Sequence, residues 1–204
     1  MEHNTNTNEK IYGRILQQEK FIDGIILKSE EEMMDIDLRK NINERFPKIE
    51  LKNQREFEDR IKSEEGFLDK ILENVEMRLL FAIKCVIEID ESQIVNLKSV
   101  FYEEGKDIPA HYENQPIKSV YDSIRNSLLD GGKSEEINQI INEEYDEIIW
   151  KREIPTTKYY WDKMGVDFQK YYLGLRETFI KGLLEKTDVK FTKLDDTVCV
   201  LTRN

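Results

Sequence analysis

Leu68-Asp69-Lys70-Ile71-Leu72-Glu73-Asn74-Val75-Glu76-Met77-Arg78-Leu79-Leu80-Phe81-Ala82-Ile83-Lys84-Cys85-Val86 carries the clearest period in the chain. Leu68, Ile71, Leu72, Val75, Leu79, Ala82, Ile83 and Val86 recur at spacings of three and four, so they share one face through about five helical turns. A face that long has to be buried, and this segment is expected to be a central core helix over residues 67–89.

Outward from it, the same period recurs. Upstream, Asn53-Gln54-Arg55-Glu56 forms a capping box, with an amide oxygen at the cap and a carboxylate three residues on. Phe57 and Ile61 begin its apolar face, and Gly66 breaks or kinks the run. Ser29-Glu30-Glu31-Glu32 reads as another capping box opening a helix that carries Met34, Leu38 and Ile42 and ends at Pro47. Ile11, Ile15, Ile22 and Ile26 make a first helix, capped by Asn8 and reaching about Lys28. Asp23-Gly24 offers a tight hairpin as the alternative there.

Downstream, Asp90 or Ser92 caps a helix with Ile94, Leu97 and Phe101, closed by Gly105. Pro109, His111 and Pro116 mark a loop. Ile117, Val120, Tyr121, Ile124 and Leu128 make another helix, stopped by Gly131-Gly132. Ser134 caps a helix with Ile137, Ile140, Ile141, Tyr145 and Ile148 inward, ending at Pro155. Trp161, Met164, Phe168, Tyr171, Leu175, Phe179 and Leu183 line the last helical region (residues 158–186), which Gly165 splits. Val189, Phe191 and Leu194, then Thr197 to Thr202, are strand-formers around Asp195-Asp196 and predict a hairpin.

The expectation is therefore a mainly α fold: an irregular helical domain of about seven or eight helices with a C-terminal β-hairpin. Residues 1–8 read as a flexible tail, 9–187 as the helical domain and 188–204 as the hairpin, docked on or extending from it. No repeat of solenoid period and no sustained heptad is present.

Composition narrows the function classes. Of the 204 residues, 39% are hydrophobic and 36% charged. The periodic apolar stripes argue for a folded chain with solvated helix faces. The net charge is −11. It is unevenly placed: residues 1–60 hold 11 basic and 14 acidic groups, 61–150 hold 9 and 20, and 151–204 hold 11 and 8. Most of the surface should repel nucleic acid and attract basic partners or divalent cations. Cys85 and Cys199 are the only cysteines and form no disulfide framework, which fits a reducing compartment. No signal peptide or membrane span is evident, so the expected location is cytoplasmic. The abundance of Lys, Asn and Ile matches AT-rich codons.

Catalytic residue types are scarce. His3 lies in the tail and His111 in a loop, with Asp107 and Glu113 near it in sequence. The histidines and cysteines sit at positions 3, 85, 111 and 199, without the close ligand pairs of a zinc site. Gly131-Gly132-Lys133-Ser134 lacks the upstream glycine and preceding strand of a phosphate loop and reads as a helix stop followed by a cap. No cofactor is expected.

Three surface readings remain. The leading one is a non-enzymatic protein–protein interaction module, such as an adaptor, inhibitor or regulatory subunit. Its candidate contacts are the acids Glu136, Glu143, Glu144 and Glu147 on an outward helix face, beside Glu135 and Asp146, and the tyrosines Tyr159, Tyr160 and Tyr172 off the core stripe. The partner is a protein with a basic surface, a second copy of the chain being the other option. The second reading is a Mg²⁺-dependent nucleotide or phosphoester hydrolase. Glu88 with Glu91, and Glu104 with Asp107, have the three-residue spacing that puts two carboxylates on one helix face, where they can share Mg²⁺. Gly105 inside the second pair counts against it. The third is single-stranded nucleic acid on the basic aromatic C-terminal third, through Lys158, Lys163 and Lys170 among the tyrosines.

Overall fold

The computed structural model describes residues 2–109, 115–129, 138–153 and 158–203, with the backbone alone for residues 2–6. His111, Gly131, Gly132, Ser134, Glu135 and Glu136 lie outside the described residues. The fold is mainly α, with eight α-helices and a small four-stranded sheet among the described residues. None of these helices is long and apolar enough to cross a membrane. The chain divides into two units: residues 1–93 with 126–132, and residues 94–125 with 133–204.

In the first unit, α1 spans Glu2–Glu31, α2 Leu38–Arg45, α3 Gln54–Ser63 and α4 Phe67–Ile89. The helix expected from the 68–86 period is there. Its apolar face is as read, except that Phe67 and Leu80 are also buried and Leu68 is only half-buried. It packs along α1, where Ile11, Ile15, Phe21, Ile22, Ile25 and Ile26 are buried. Each such side chain contributes about 1.5–3 kcal/mol by leaving water.

The α1–α4 layer also buries charge. Arg78 on α4 donates to Glu19 on α1 (3.2 Å), to Asn43 (3.1 Å) and to the Phe46 carbonyl (2.6 Å). Lys48 Nζ lies 3.4 Å from the other Glu19 oxygen. This network fixes the α2–α3 connection against α4, aided by Asn74 donating to the Pro47 carbonyl at 3.1 Å.

Two expectations are corrected in this unit. Residues 2–8, read as part of a tail, lie in α1, which begins at Glu2; no proline or glycine interrupts the chain before Gly13. Ser29 does not cap a helix. It lies inside α1, where its hydroxyl donates to the Ile26 carbonyl (2.7 Å). The helix ends at Met33, whose φ of 50° is left-handed. Met34 N–H then reaches the Ser29 carbonyl (3.0 Å) and Met33 N–H the Glu30 carbonyl (3.2 Å), the paired bonds of a Schellman stop. The cap of α2 is Asp37, which accepts from Lys40 N–H at 3.0 Å. The Asn53 cap holds: Asn53 accepts from Glu56 N–H (3.0 Å), while the Glu56 carboxylate accepts from Lys52 N–H (2.9 Å), one residue before the cap.

The second unit contains α5 (Ile94–Lys106), most of α6 (Ile117–Ser127), β1 (Asn138–Glu143), β2 (Glu147–Arg152), α7 (Lys158–Lys163), a π-helical turn (Phe168–Leu173), α8 (Gly174–Leu184), β3 (Val189–Lys193) and β4 (Val198–Arg203). Helices α5 and α8 cross at their glycines. A Cβ on Gly105 would strike the Phe179 carbonyl, and one on Gly182 would strike the Tyr102 carbonyl. Gly165, at φ 71°, stops α7 in the same left-handed way, with Val166 N–H bonded to the Trp161 carbonyl at 3.0 Å.

The C-terminal hairpin forms as read. Asp195 Oδ1 accepts from Thr197 N–H and Val198 N–H (each 2.7 Å) and from the Thr197 hydroxyl (2.9 Å). These bonds, the Thr197 amide foremost, hold the Asp195 carboxyl below its ordinary range.

The expected helix from Ser134 to Pro155 is the largest correction. Its described part is the antiparallel hairpin β1–β2, and the strand order β1-β2-β4-β3 joins the two hairpins into one sheet. Ile148 and Trp150 alternate inward on β2, opposite Leu201 and Cys199 of β4. Tyr121 of α6 meets the Trp150 ring edge-on at 5.1 Å. Burying that face gains more than a lone helix would, so the two-residue period wins.

Candidate functional site

The β1–β2 turn gathers most of the acids named from sequence. Glu143 and Glu144 are exposed and Glu147 half-exposed. They stand on a strand hairpin, not on a helix face. The turn closes with Glu144 N–H on the Glu147 carbonyl (2.8 Å), and Asn142 donates to Glu147 Oε1 (3.2 Å). Tyr145 and Asp146 complete the tip, both mostly exposed.

Neighbouring elements hold this tip in place. The Tyr145 carbonyl accepts from Ile117 N–H (2.9 Å), satisfying a donor at the start of α6. Arg203 near the chain end is the main clamp. It pairs with Asp146 (3.0 Å) and Asp188 (3.1 Å), donates to the Gln115 carbonyl (2.8 Å), and lies over the Tyr145 ring (6.0 Å). Its own backbone N–H bonds the Asp146 carbonyl at 2.9 Å. The arginine thus neutralises Asp146 and leaves the Glu143 and Glu144 carboxylates facing solvent on an ordered turn. Sequence reading missed Arg203, which is distant in sequence and carries no motif. It also placed Ile141 and Tyr145 inward; Tyr145 is 56% exposed, and Ile141 is 57% exposed at a β-bulge between Ile140 and Asn142.

The tyrosines do not form one surface. Tyr159 is exposed and Tyr160 half-buried, their rings 5.7 Å apart. Tyr172, expected off the core, is 5% exposed. It stacks on Phe168 (5.0 Å) and tilts against Trp161 (5.4 Å), with the Arg152 guanidinium 5.6 Å from its ring. The π-helical turn rotates it inward: the added residue per turn shifts the register between α7 and α8. The lysines of the nucleic-acid reading are also engaged. Lys158 pairs with Asp162 (2.6 Å), Lys163 lies over Tyr159 (5.9 Å) and Lys170 over Tyr171 (5.1 Å). Trp161, Phe168, Tyr171 and Tyr172 are all buried, so they offer no stacking platform.

The four acids of the magnesium reading are spread along the chain. Glu88, in the first unit, pairs with Lys84 at 3.4 Å, and Glu91 sits in a 3₁₀ turn after α4. Glu104 and Asp107 belong to the second unit, on and just beyond α5. Asp107 borders a cleft of about 210 Å³ with Lys106, Pro109, Leu183, Glu185 and Lys186. Lys106 there bridges Glu103 (3.4 Å) and Glu185 (3.5 Å). Among the described residues, no three Asp, Glu, His or Cys side chains gather into a set that could hold a metal ion.

No protein-family model matches this sequence, and neither a curated protein nor a solved structure matches it.

Proposed function

We propose that the protein is a non-enzymatic protein–protein interaction module whose docking face is the acidic tip of the β1–β2 hairpin. The observation that carries this reading is the pair of exposed carboxylates, Glu143 and Glu144, on a turn pinned by Arg203. An ordered acidic turn loses little freedom on binding, and its charge steers a basic surface towards it. The exposed Tyr145 and Ile141 supply apolar contact beside the charge. The partner class is a protein with a basic surface.

The test is a tagged pull-down from native lysate at low and moderate salt, with wild type beside a Glu143→Lys/Glu144→Lys/Glu147→Lys variant. One stoichiometric partner, released at moderate salt and lost with the variant, supports the reading. A partner retained equally by both proteins overturns it.

A further inference from the structure

Resting on that docking reading, we infer that β1 is itself the docking edge, and that the partner adds an extended, lysine- or arginine-bearing segment to the sheet as a fifth strand. The sheet order β1-β2-β4-β3 leaves two edges, and they are built differently. β3 carries Lys190 and Lys193, both exposed, the charged residues that guard an edge against added strands. β1 reads Asn138-Gln139-Ile140-Ile141-Asn142-Glu143, without lysine, arginine or proline. Among the described residues only β2 pairs with it. Half of its backbone N–H and C=O groups therefore point away from β2, and among the described residues no strand takes them up.

Charge selects the occupant. The β1 edge runs into Glu143 and Glu144, so a basic segment gains where an acidic one is repelled. A second copy of this chain, carrying the same net charge of −11, is disfavoured. The bulge at Ile141 breaks the flat register that identical edges would need, and it turns an exposed isoleucine out as a side-chain anchor. Main-chain bonds would supply affinity, and the acids and Ile141 would set the register.

The probe is a short peptide of alternating lysine and valine, compared with the same peptide N-methylated on every backbone amide. Methylation keeps the charge and removes the strand-pairing donors. Amide exchange and chemical shifts of the full-length protein are read over residues 138–143. The unmethylated peptide is expected to protect amides of β1, and methylation to weaken binding about tenfold or more, because several backbone bonds are lost together. Equal binding of both peptides, still lost with Glu143→Lys/Glu144→Lys, overturns strand addition and leaves the acidic docking face standing. Binding of neither peptide at low salt, or binding indifferent to the charge reversal, overturns both. Concentration-dependent protection of β1 without peptide assigns the edge to a second copy and overturns the basic-segment proposal.

Discussion

Arg78 shows how one side chain organises the first unit. It is 2% exposed and spends its donors on Glu19, Asn43 and the Phe46 carbonyl. Arg78→Ala would remove the buried ion pair to Glu19 and leave that carboxylate the longer contact to Lys48, at an expected cost of about 3–5 kcal/mol. Urea unfolding measures this, and the pair Arg78→Met/Glu19→Gln should recover most of the loss. A cost under ~1 kcal/mol for Arg78→Ala would show that the network is not structural. Cys85 gives a second residue-scale prediction. Burial, and then the Glu88 charge, push its thiol from the ordinary 9.0 up to about 11. A raised value means the folded chain keeps a proton that the unfolded chain gives up. The associated stability is complete below the unfolded value and is lost as pH rises through the folded one. Iodoacetamide labelling of Cys85 at pH 8 should be at least about tenfold slower in the native protein than in urea. Equal rates would contradict the burial. Neither property was legible from sequence. Position 78 lies on the flank of a helical stripe, and its partner Glu19 is on a separate helix.

At the scale of elements, local signals were read well where the deciding atoms are close in sequence. The 68–86 period, the Asn53 cap, the breaks at Gly66 and Gly165 and the Asp195 turn all formed within a few residues of their signals. The hairpin β1–β2 was not legible for a physical reason. Ile137, Ile140, Ile141, Tyr145 and Ile148 satisfy a helical period, while Ile148 and Trp150 also satisfy an alternating one. The arbiter is β4, which pairs Ile148 with Leu201 and Trp150 with Cys199 from about fifty residues away. The turn Glu144-Tyr145-Asp146 has no glycine or proline to announce it. Gly105, read as a helix end, is the last residue but one of α5, and it also lets α8 approach. Gly105→Ala is therefore expected to destabilise by about 1–3 kcal/mol, since backbone on α8 must move. Gly174→Ala, also helical but with nothing within 4 Å of the added carbon, is the control and should be neutral or slightly stabilising. Denaturant midpoints decide between them, and equal shifts would contradict the close crossing.

For the whole molecule, charge is the property the sequence stated most directly. The acidic middle and mildly basic end were plain in the counts, but not which acids stay exposed. Lysines offset Glu88 and Asp162, and Arg203 offsets Asp146, whereas Glu143 and Glu144 project from the hairpin turn. Among the described residues no three metal-ligating side chains gather, and Trp161, Phe168, Tyr171 and Tyr172 are buried while Tyr159 is exposed. The proposed docking face is this acidic turn, with Tyr145 at its tip, beside a strand edge that only β2 pairs with among the described residues. The most direct test is the affinity of the captured basic partner for wild type and for Glu143→Lys/Glu144→Lys, each titrated across salt. The expected result is about tenfold weaker binding by the variant at low salt, with a flatter salt dependence. Unchanged affinity and an unchanged salt slope would contradict the hairpin tip as the docking face.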